Sequence, residues 1–331
     1  MPTDGPSMVG TNSVAVQQVA RRRGPGLLTL VVGAQSGQGT RRALWGYLFI
    51  TPWLLGLLFF IVGPIFASLY FSFTEYDVLS PPRWVGLKNY EYAFFGDDLF
   101  WPSLGRSFYY AGLVVPLGLI ASLCLAILLN QGIRGTNVFR TLFFSPHLTP
   151  AVAMGILWLW LLNPELGPIN FLFRQIGLGS YPWLTDKDTV IPTLVLMALW
   201  SVAGGNSMLI FLAGLQGVPK DLEEAAEIDG AGRLMKFRHV TLPMITPTIF
   251  FNLVLGIIGA LQVFAVAFVA TGGGPSYGSW FYALHIYTQA FSWMRMGYGS
   301  ALAWIFLIVV LLLTILNSAL SRRWVFYRGA E

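Results

Sequence analysis

Cysteine is nearly absent from this 331-residue sequence: Cys124 stands alone, so no intrachain disulfide can form. Histidine is almost as rare, and His147, His239 and His285 lie far apart with no Cys/His/Asp cluster beside them, which leaves no metal-ligand set. Charged residues make up only 11% of the chain, and no nucleic-acid partner is expected. A G-x-x-x-x-G-K-[ST] run is also missing. The stretch "GAQSGQGT" at Gly33 to Thr40 imitates a phosphate-binding loop without its lysine, so this chain is not itself an ATPase.

Apolar residues are in excess. The chain is 55% hydrophobic, with 12 Trp, 13 Tyr and 25 Phe, and its mean hydropathy is +0.65. A soluble protein would expose more apolar surface than it could hide, which points to a membrane. Six uncharged runs, near residues 43–70, 108–130, 141–163, 190–216, 241–270 and 299–320, reach the ~20 residues that a helix needs to cross the hydrocarbon. Gly and Pro recur inside them, as membrane helices tolerate. The expected fold is an all-α polytopic membrane protein with six transmembrane helices. A further uncharged segment, Ser279 to Met294, follows the breaker "TGGGPSYG" and is short for a span, so residues 271–296 read as an external loop carrying a short interfacial or re-entrant helix.

The basic residues orient these spans. With the N-terminus inside, 14 of the 20 Lys and Arg fall on the cytoplasmic side, from Arg21 in the tail to Arg322, Arg323 and Arg328 at the end. The outer segments keep Arg83, Lys88, Arg106, Arg174, Lys187 and Arg295 beside most of the acidic residues. The positive-inside rule therefore places both termini in the cytoplasm. Residues 1–40 form a basic tail rich in Gly, Ser, Thr and Gln that reads as disordered. Within it "RRRGPGLLTLVVGA" loosely imitates a signal peptide, but its arginines already serve as an inside anchor.

The densest cluster of charge, "EEAAEIDGAGRLMKFRHVTLP" from Glu223 to Pro243, lies between the fourth and fifth spans, in a cytoplasmic loop at residues 219–243. Asp221 after Pro219 reads as a helix cap with Glu224 as its reciprocal partner. "LEEAAEI" favours helix, and Asp229 with Gly230 ends it before a second short basic stretch. Ala225 and Ala226 offer a flat patch, while Glu223, Glu224 and Glu227 offer carboxylates to a basic partner. A solvated loop anchored at the interface is the alternative.

Glu224, Ala225, Ala226, Gly230, Val240, Leu242 and Pro243, at that spacing, resemble the EAA motif of membrane subunits of bacterial ATP-binding-cassette importers. Asp229, Gly230, Ala231 and Phe237 stand where sugar-importer permeases have them; Val240 replaces the usual Ile. "TGGGP" at Thr271, "MGYGSALAW" at Met296 and "SRRWVFY" at Ser321 extend the likeness from about Ala43 to Tyr327, toward one subunit of the heterodimers similar to the maltose and glycerol-3-phosphate permeases. The chain has no room for the extra spans and external domain of the maltose subunit and so is similar to the shorter six-span relatives.

The resemblance implies the ABC importer permease fold, with the hinge as a coupling helix whose contacts are Glu223, Glu224, Ala225, Ala226, Asp229, Gly230, Leu242 and Pro243. It also implies a multi-pass subunit of the bacterial inner membrane. Its partners would be a second permease subunit, a dimer of ATP-binding subunits, an extracytoplasmic solute-binding protein and the lipid bilayer. No cofactor is expected on this chain, since ATP and Mg would sit on the partner ATPase, and Glu223 and Glu224 are contacts, not catalysts. The solute is expected to be a sugar. Candidates for its path are the amides Asn206 and Gln262, which need partners in hydrocarbon, and the aromatic residues Trp200 and Phe264, which can stack on a sugar ring; the same residues can serve as packing between helices. Trp158 and Trp160 read as interface-belt residues. No Lys or Arg lies deep in a span, which favours a neutral solute over a phosphorylated polyol such as glycerol-3-phosphate. No Asp or Glu lies in a span either, which disfavours an ion-coupled secondary carrier, although sodium coupling through backbone carbonyls stays open, as does a membrane scaffold.

Overall fold

The computed structural model describes residues 37–132 and 134–326, so nearly all of the N-terminal tail and the end of the "SRRWVFY" motif lie outside the described residues. The described residues fall into two units that part between Ile65 and Phe66. In the first, α1 (Gly37–Leu57) runs into a π-helical turn at Leu58–Val62. The apolar helix continues through α2 (Gly63–Ser72), and Leu44–Ser72 is long enough to span a membrane while none of its most apolar window is buried within this chain.

The second unit holds the rest. A two-stranded antiparallel ribbon, β1 (Thr74–Glu75) and β2 (Arg83–Trp84), pairs Thr74 with Trp84 and Glu75 with Arg83. Then come α3 (Lys88–Phe95) and α4 (Phe100–Leu129). At 30 residues α4 is the axis of the unit. It begins two turns before the expected span, so Arg106 lies in a helix and not in a loop.

Next are α5 (Thr136–Phe144), α6 (Ala151–Leu161), α7 (Pro168–Gln175), α8 (Val190–Val202) and α9 (Asn206–Gln216). Two of the uninterrupted runs expected from hydropathy are broken. The run at 141–163 bends by 94° between Thr136–Leu148 and Ala151–Leu161. Thr149 is extended there (φ −73°, ψ 128°), as a residue before proline prefers. The run at 190–216 bends by 49° between Val202 and Asn206. Four helical stretches without a sharp bend therefore have spanning length among the described residues, one of them Thr246–Ala270 with a short interruption after Leu261, or six if each bent pair counts as one span.

The hinge helices α10 (Lys220–Ile228), α11 (Arg233–Lys236) and α12 (Leu242–Met244) lead to α13 (Thr246–Leu261) and α14 (Ala265–Ala270). Last come α15 (Tyr282–Tyr287) and α16 (Met296–Ser321). Three buried apolar clusters lie along α4. One at its C-terminal end joins Ala126 and Leu129 to Met208, Phe211, Leu215 and Ile245. A middle one joins Val114 to Leu194 and Leu261, and one at its start joins Phe100 to Tyr282, Tyr298 and Leu302. Of the short segment at 279–294, residues 279–290 are interior, with Tyr282 and His285 fully buried, while residues 291–294 are exposed. The Tyr282 N–H donates to Ser107 Oγ of α4 at 2.9 Å, and its hydroxyl donates to the Leu302 carbonyl at 3.0 Å.

Candidate functional site

The hinge helix begins two residues earlier than a cap at Asp221 would allow. Pro219 is the extended N-cap, α10 opens at Lys220, and no side chain caps it, so Asp221 and Glu224 form no capping box. Proline supplies the fixed φ that starts the helix, and Asp221 and Glu223 in the first turn complement its dipole. The C-terminal end behaves as the Asp-Gly pair suggests. Gly230 sits at φ +80°, the Gly230 N–H donates to the Glu227 carbonyl at 3.0 Å, and the Ala231 N–H donates to the Ala226 carbonyl at 2.9 Å. These two bonds make a Schellman cap.

The turn folds α11 back toward α10, where Lys236 donates to Glu227. Glu227 is therefore engaged within the hinge, unlike the free carboxylate expected, and the hydrogen bond and charge of Lys236 hold its pKa below the ordinary value. Glu224 and Ala225 are exposed, and Glu223 and Ala226 are half-buried. The hinge also displays residues that charge-based reading missed: Ile228 is 87% exposed, Leu234 80% and Met235 57%. Large apolar side chains so exposed beside carboxylates mark a surface built to be covered.

In the helix bundle, both bends meet at glycine. A Cβ on Gly204 would lie 1.9 Å from the Phe143 carbonyl oxygen, and one on Gly205 would lie 2.8 Å from His147 Nδ1. Only glycine lets the two broken runs approach this closely. Beside the break is a cavity of about 280 Å³, lined by Asn206, Ser207, Asn252, His147 and Tyr110 among apolar side chains and glycines. Its lining includes no Lys, Arg, Asp or Glu. Asn252 is 1% exposed; its Nδ2 donates to the Thr248 carbonyl at 3.0 Å, but its buried Oδ1 has no partner. An unsatisfied buried amide oxygen costs about 1–3 kcal/mol, so a ligand donor there would recover that loss. Asn252 was legible on the same ground as Asn206, as an amide in an apolar run.

The other path candidates lie elsewhere. Trp200 lines a separate apolar cavity of about 830 Å³, edge-on to Trp158 with ring centroids 6.4 Å apart. Gln262 is an exposed C-cap of α13, and Phe264, the residue before α14, packs against Phe268 and Tyr287. Neither lines the cavity of Asn206. Trp158 is buried and only Trp160 is exposed, because Trp158 shares the packed face of α6 with Met154 and Gly155; the belt reading fails for Trp158.

At the opposite end of α4 from the hinge, a polar network joins three elements. Asp97 Oδ2 accepts from His285 Nε2 at 2.8 Å and from the Tyr298 hydroxyl at 2.5 Å, while Oδ1 accepts from the Leu99 N–H at 2.9 Å. Trp280 Nε1 donates to His285 Nδ1 at 3.1 Å. Because indole only donates, this bond fixes the neutral imidazole with its proton on Nε2. Burial pushes the Asp97 carboxyl up, but the hydrogen bonds from His285 and Tyr298 outweigh it and hold the pKa below the usual value.

Residues 114–325 match the family described as binding-protein-dependent transport system inner membrane component. The chain is 41% identical over 292 residues to the probable ABC transporter permease protein YesP of Bacillus subtilis, covering 87% of this chain and 94% of that one. It is 31% identical to the sulfoquinovosyl glycerol transport system permease protein SmoG of Agrobacterium fabrum, over 78% of this chain and 84% of that one. A solved bacterial ABC transporter involved in the import of the acidic polysaccharide alginate contains a chain with the same fold, at a TM-score of 0.76 and 23% identity, covering 86% of this chain and 98% of that one.

Proposed function

Since this chain belongs to the binding-protein-dependent transport system inner membrane components and is an ABC transporter permease, we propose that it forms half of the pathway for a neutral sugar and is driven by a separate ATPase. The observation that carries the solute class is the cavity at the helix breaks. Its amides, hydroxyls and imidazole suit sugar hydroxyls, and it holds no cation to balance a phosphate. At about 280 Å³ it falls just below the ~300–1,000 Å³ usual for small-molecule pockets, as expected if a second permease subunit completes it. Asn206 and the unpartnered Asn252 oxygen would take solute hydroxyls. Gln262, Trp200 and Phe264 would belong to the wider path.

The hinge supplies the coupling. Glu223, Glu224, Ala225, Ala226, Asp229, Gly230, Leu242 and Pro243, together with the exposed Ile228 and Leu234, form the surface on which a dimer of cytoplasmic ATP-binding subunits would seat. ATP and Mg would be held there and not on this chain, which takes no covalent part in the reaction. Solute would arrive on an external binding protein, and both termini of this inner-membrane chain would face the cytoplasm. A crystal structure of the alginate transporter with a periplasmic protein bound to alginate pentasaccharide gives a precedent for delivery in that system.

The test is to purify the assembled complex, identify its bound subunits and solute, and measure uptake in vesicles. Asn206→Leu and Asn252→Leu should each lower uptake at unchanged assembly. Unchanged uptake kinetics in both variants would remove the cavity from the path, and a complex without an ATPase would overturn ATP-driven transport.

A further inference from the structure

After α16 the chain turns back to the hinge. The backbone N–H groups of Trp324 and Val325 donate to the Ser321 carbonyl at 3.1 and 2.9 Å, so the tail leaves the last helix without slack. Trp324 then meets Phe250 of α13 edge-on, with ring centroids 6.4 Å apart. Two residues on, the Phe326 N–H donates to Thr246 Oγ1 at 2.9 Å. The same hydroxyl donates to the Pro243 carbonyl at 2.7 Å. A hydroxyl has one proton to give and two lone pairs to receive with, so both bonds form at once. Phe326 also walls a groove of about 470 Å³ with Leu222 of α10, His239 and Val240 of a second π-helical turn at Phe237–Thr241, and Pro243 and Met244.

Resting on the coupling role given above to the hinge, we propose that Thr246 and residues 324–326 form a strap that fixes the coupling hinge to the last membrane helix. Thr246 is a positioning residue acting through Pro243, the final residue of the EAA-like run. Motion imposed on α10 by an ATPase then reaches α16 through the first turn of α13, without having to travel along the length of that helix. The strap uses a hydroxyl, a backbone N–H and the ring contact of Trp324 with Phe250, so a hydroxyl must be retained at position 246 and an aromatic ring at position 324.

The strap can be read without knowing the solute. In the assembled complex with Cys124 replaced by serine, spin labels at Asp221 of α10 and Leu320 of α16, both exposed and neither assigned to the docking surface, report the distance from hinge to last helix by pulsed electron resonance. Measurements are made without nucleotide and with ATP trapped by vanadate. The parent should keep one distance in both states. Thr246→Val should raise the population outside the parent peak about 5-fold, the equivalent of one net hydrogen bond, and Thr246→Ser should restore it. If the valine variant fails to assemble, Trp324→Leu provides the same comparison.

A parent distance that changes with nucleotide, a valine variant like the parent, or failed rescue by serine would overturn the strap. Ala226→Leu tests the hinge role separately. If it keeps its full complement of ATPase, docking at α10 fails; if it releases the ATPase while the valine variant matches the parent, only the strap fails.

Discussion

Replacing Asp97 with alanine should loosen the end of the bundle opposite the hinge, by an amount the hydrogen bonds define. The substitution leaves three donors, the fully buried His285 Nε2–H, the Tyr298 hydroxyl and the Leu99 N–H, without their acceptor. Each unsatisfied donor costs about 1–3 kcal/mol, so the total is about 3–9 kcal/mol. His285 cannot escape by changing tautomer, because Trp280 donates to its other nitrogen. Asp97→Asn is the sharper probe. With its oxygen turned toward His285 and Tyr298 it keeps both bonds and forfeits only the one from Leu99, so it should lose about 1–3 kcal/mol. The assay is unfolding of the purified protein by sodium dodecyl sulfate, followed by tryptophan fluorescence.

An acid series adds an independent check. The Asp97 pKa is lowered in the folded protein, so its stabilisation is complete above the unfolded carboxylate value of about 3.9 and is lost as pH falls through the lower folded value. The stability gap between parent and Asp97→Asn should therefore be constant from pH 7 to about 4 and narrow only below that. An alanine variant with the parent's midpoint, or a gap that closes already near neutrality, would refute the network as a structural tie.

Two further outcomes are expected. Gly204→Ala should destabilise by about 1–3 kcal/mol or more and lower uptake, since its Cβ would meet the Phe143 carbonyl oxygen at 1.9 Å; the same unfolding assay and vesicle uptake check this, and a normal variant would mean the bends do not interlock. Gly230→Val should cost about 1–2 kcal/mol at φ +80° and reduce the amount of ATPase that copurifies, whereas membrane insertion should stay at the parent level.

Local features were legible in the sequence, and distant ones were not. The hinge helix, its stop at Asp229 and Gly230 and the apolar runs follow from neighbouring residues, because helix propensity and capping act within a turn. The bends had their prolines and glycines in plain view, but the 94° and 49° angles depend on Gly204 lying against Phe143, which hydropathy does not encode. Asp97 bonds to His285 and Tyr298 across 188 and 201 residues, and no pattern within either segment signals the pairing. His285, read as one of three scattered histidines, joins a carboxylate, a phenol and an indole only in three dimensions. Glu227 was recognised as a hinge carboxylate, yet its partner Lys236 becomes adjacent only after the Schellman cap reverses the chain.

The position of Gly204 two residues before Asn206 has a consequence for how such permeases diversify. The geometry of the break is set by an absent side chain, and no other amino acid meets that requirement; the polarity of the wall is set by neighbours at which the close backbone approach imposes no such restriction. Shape and taste are thus inherited through different codons. If that cavity is the solute path proposed above, a lineage could exchange its cargo by altering Asn206, Ser207 or Asn252 one at a time while the kinked scaffold passes unchanged from ancestor to descendant.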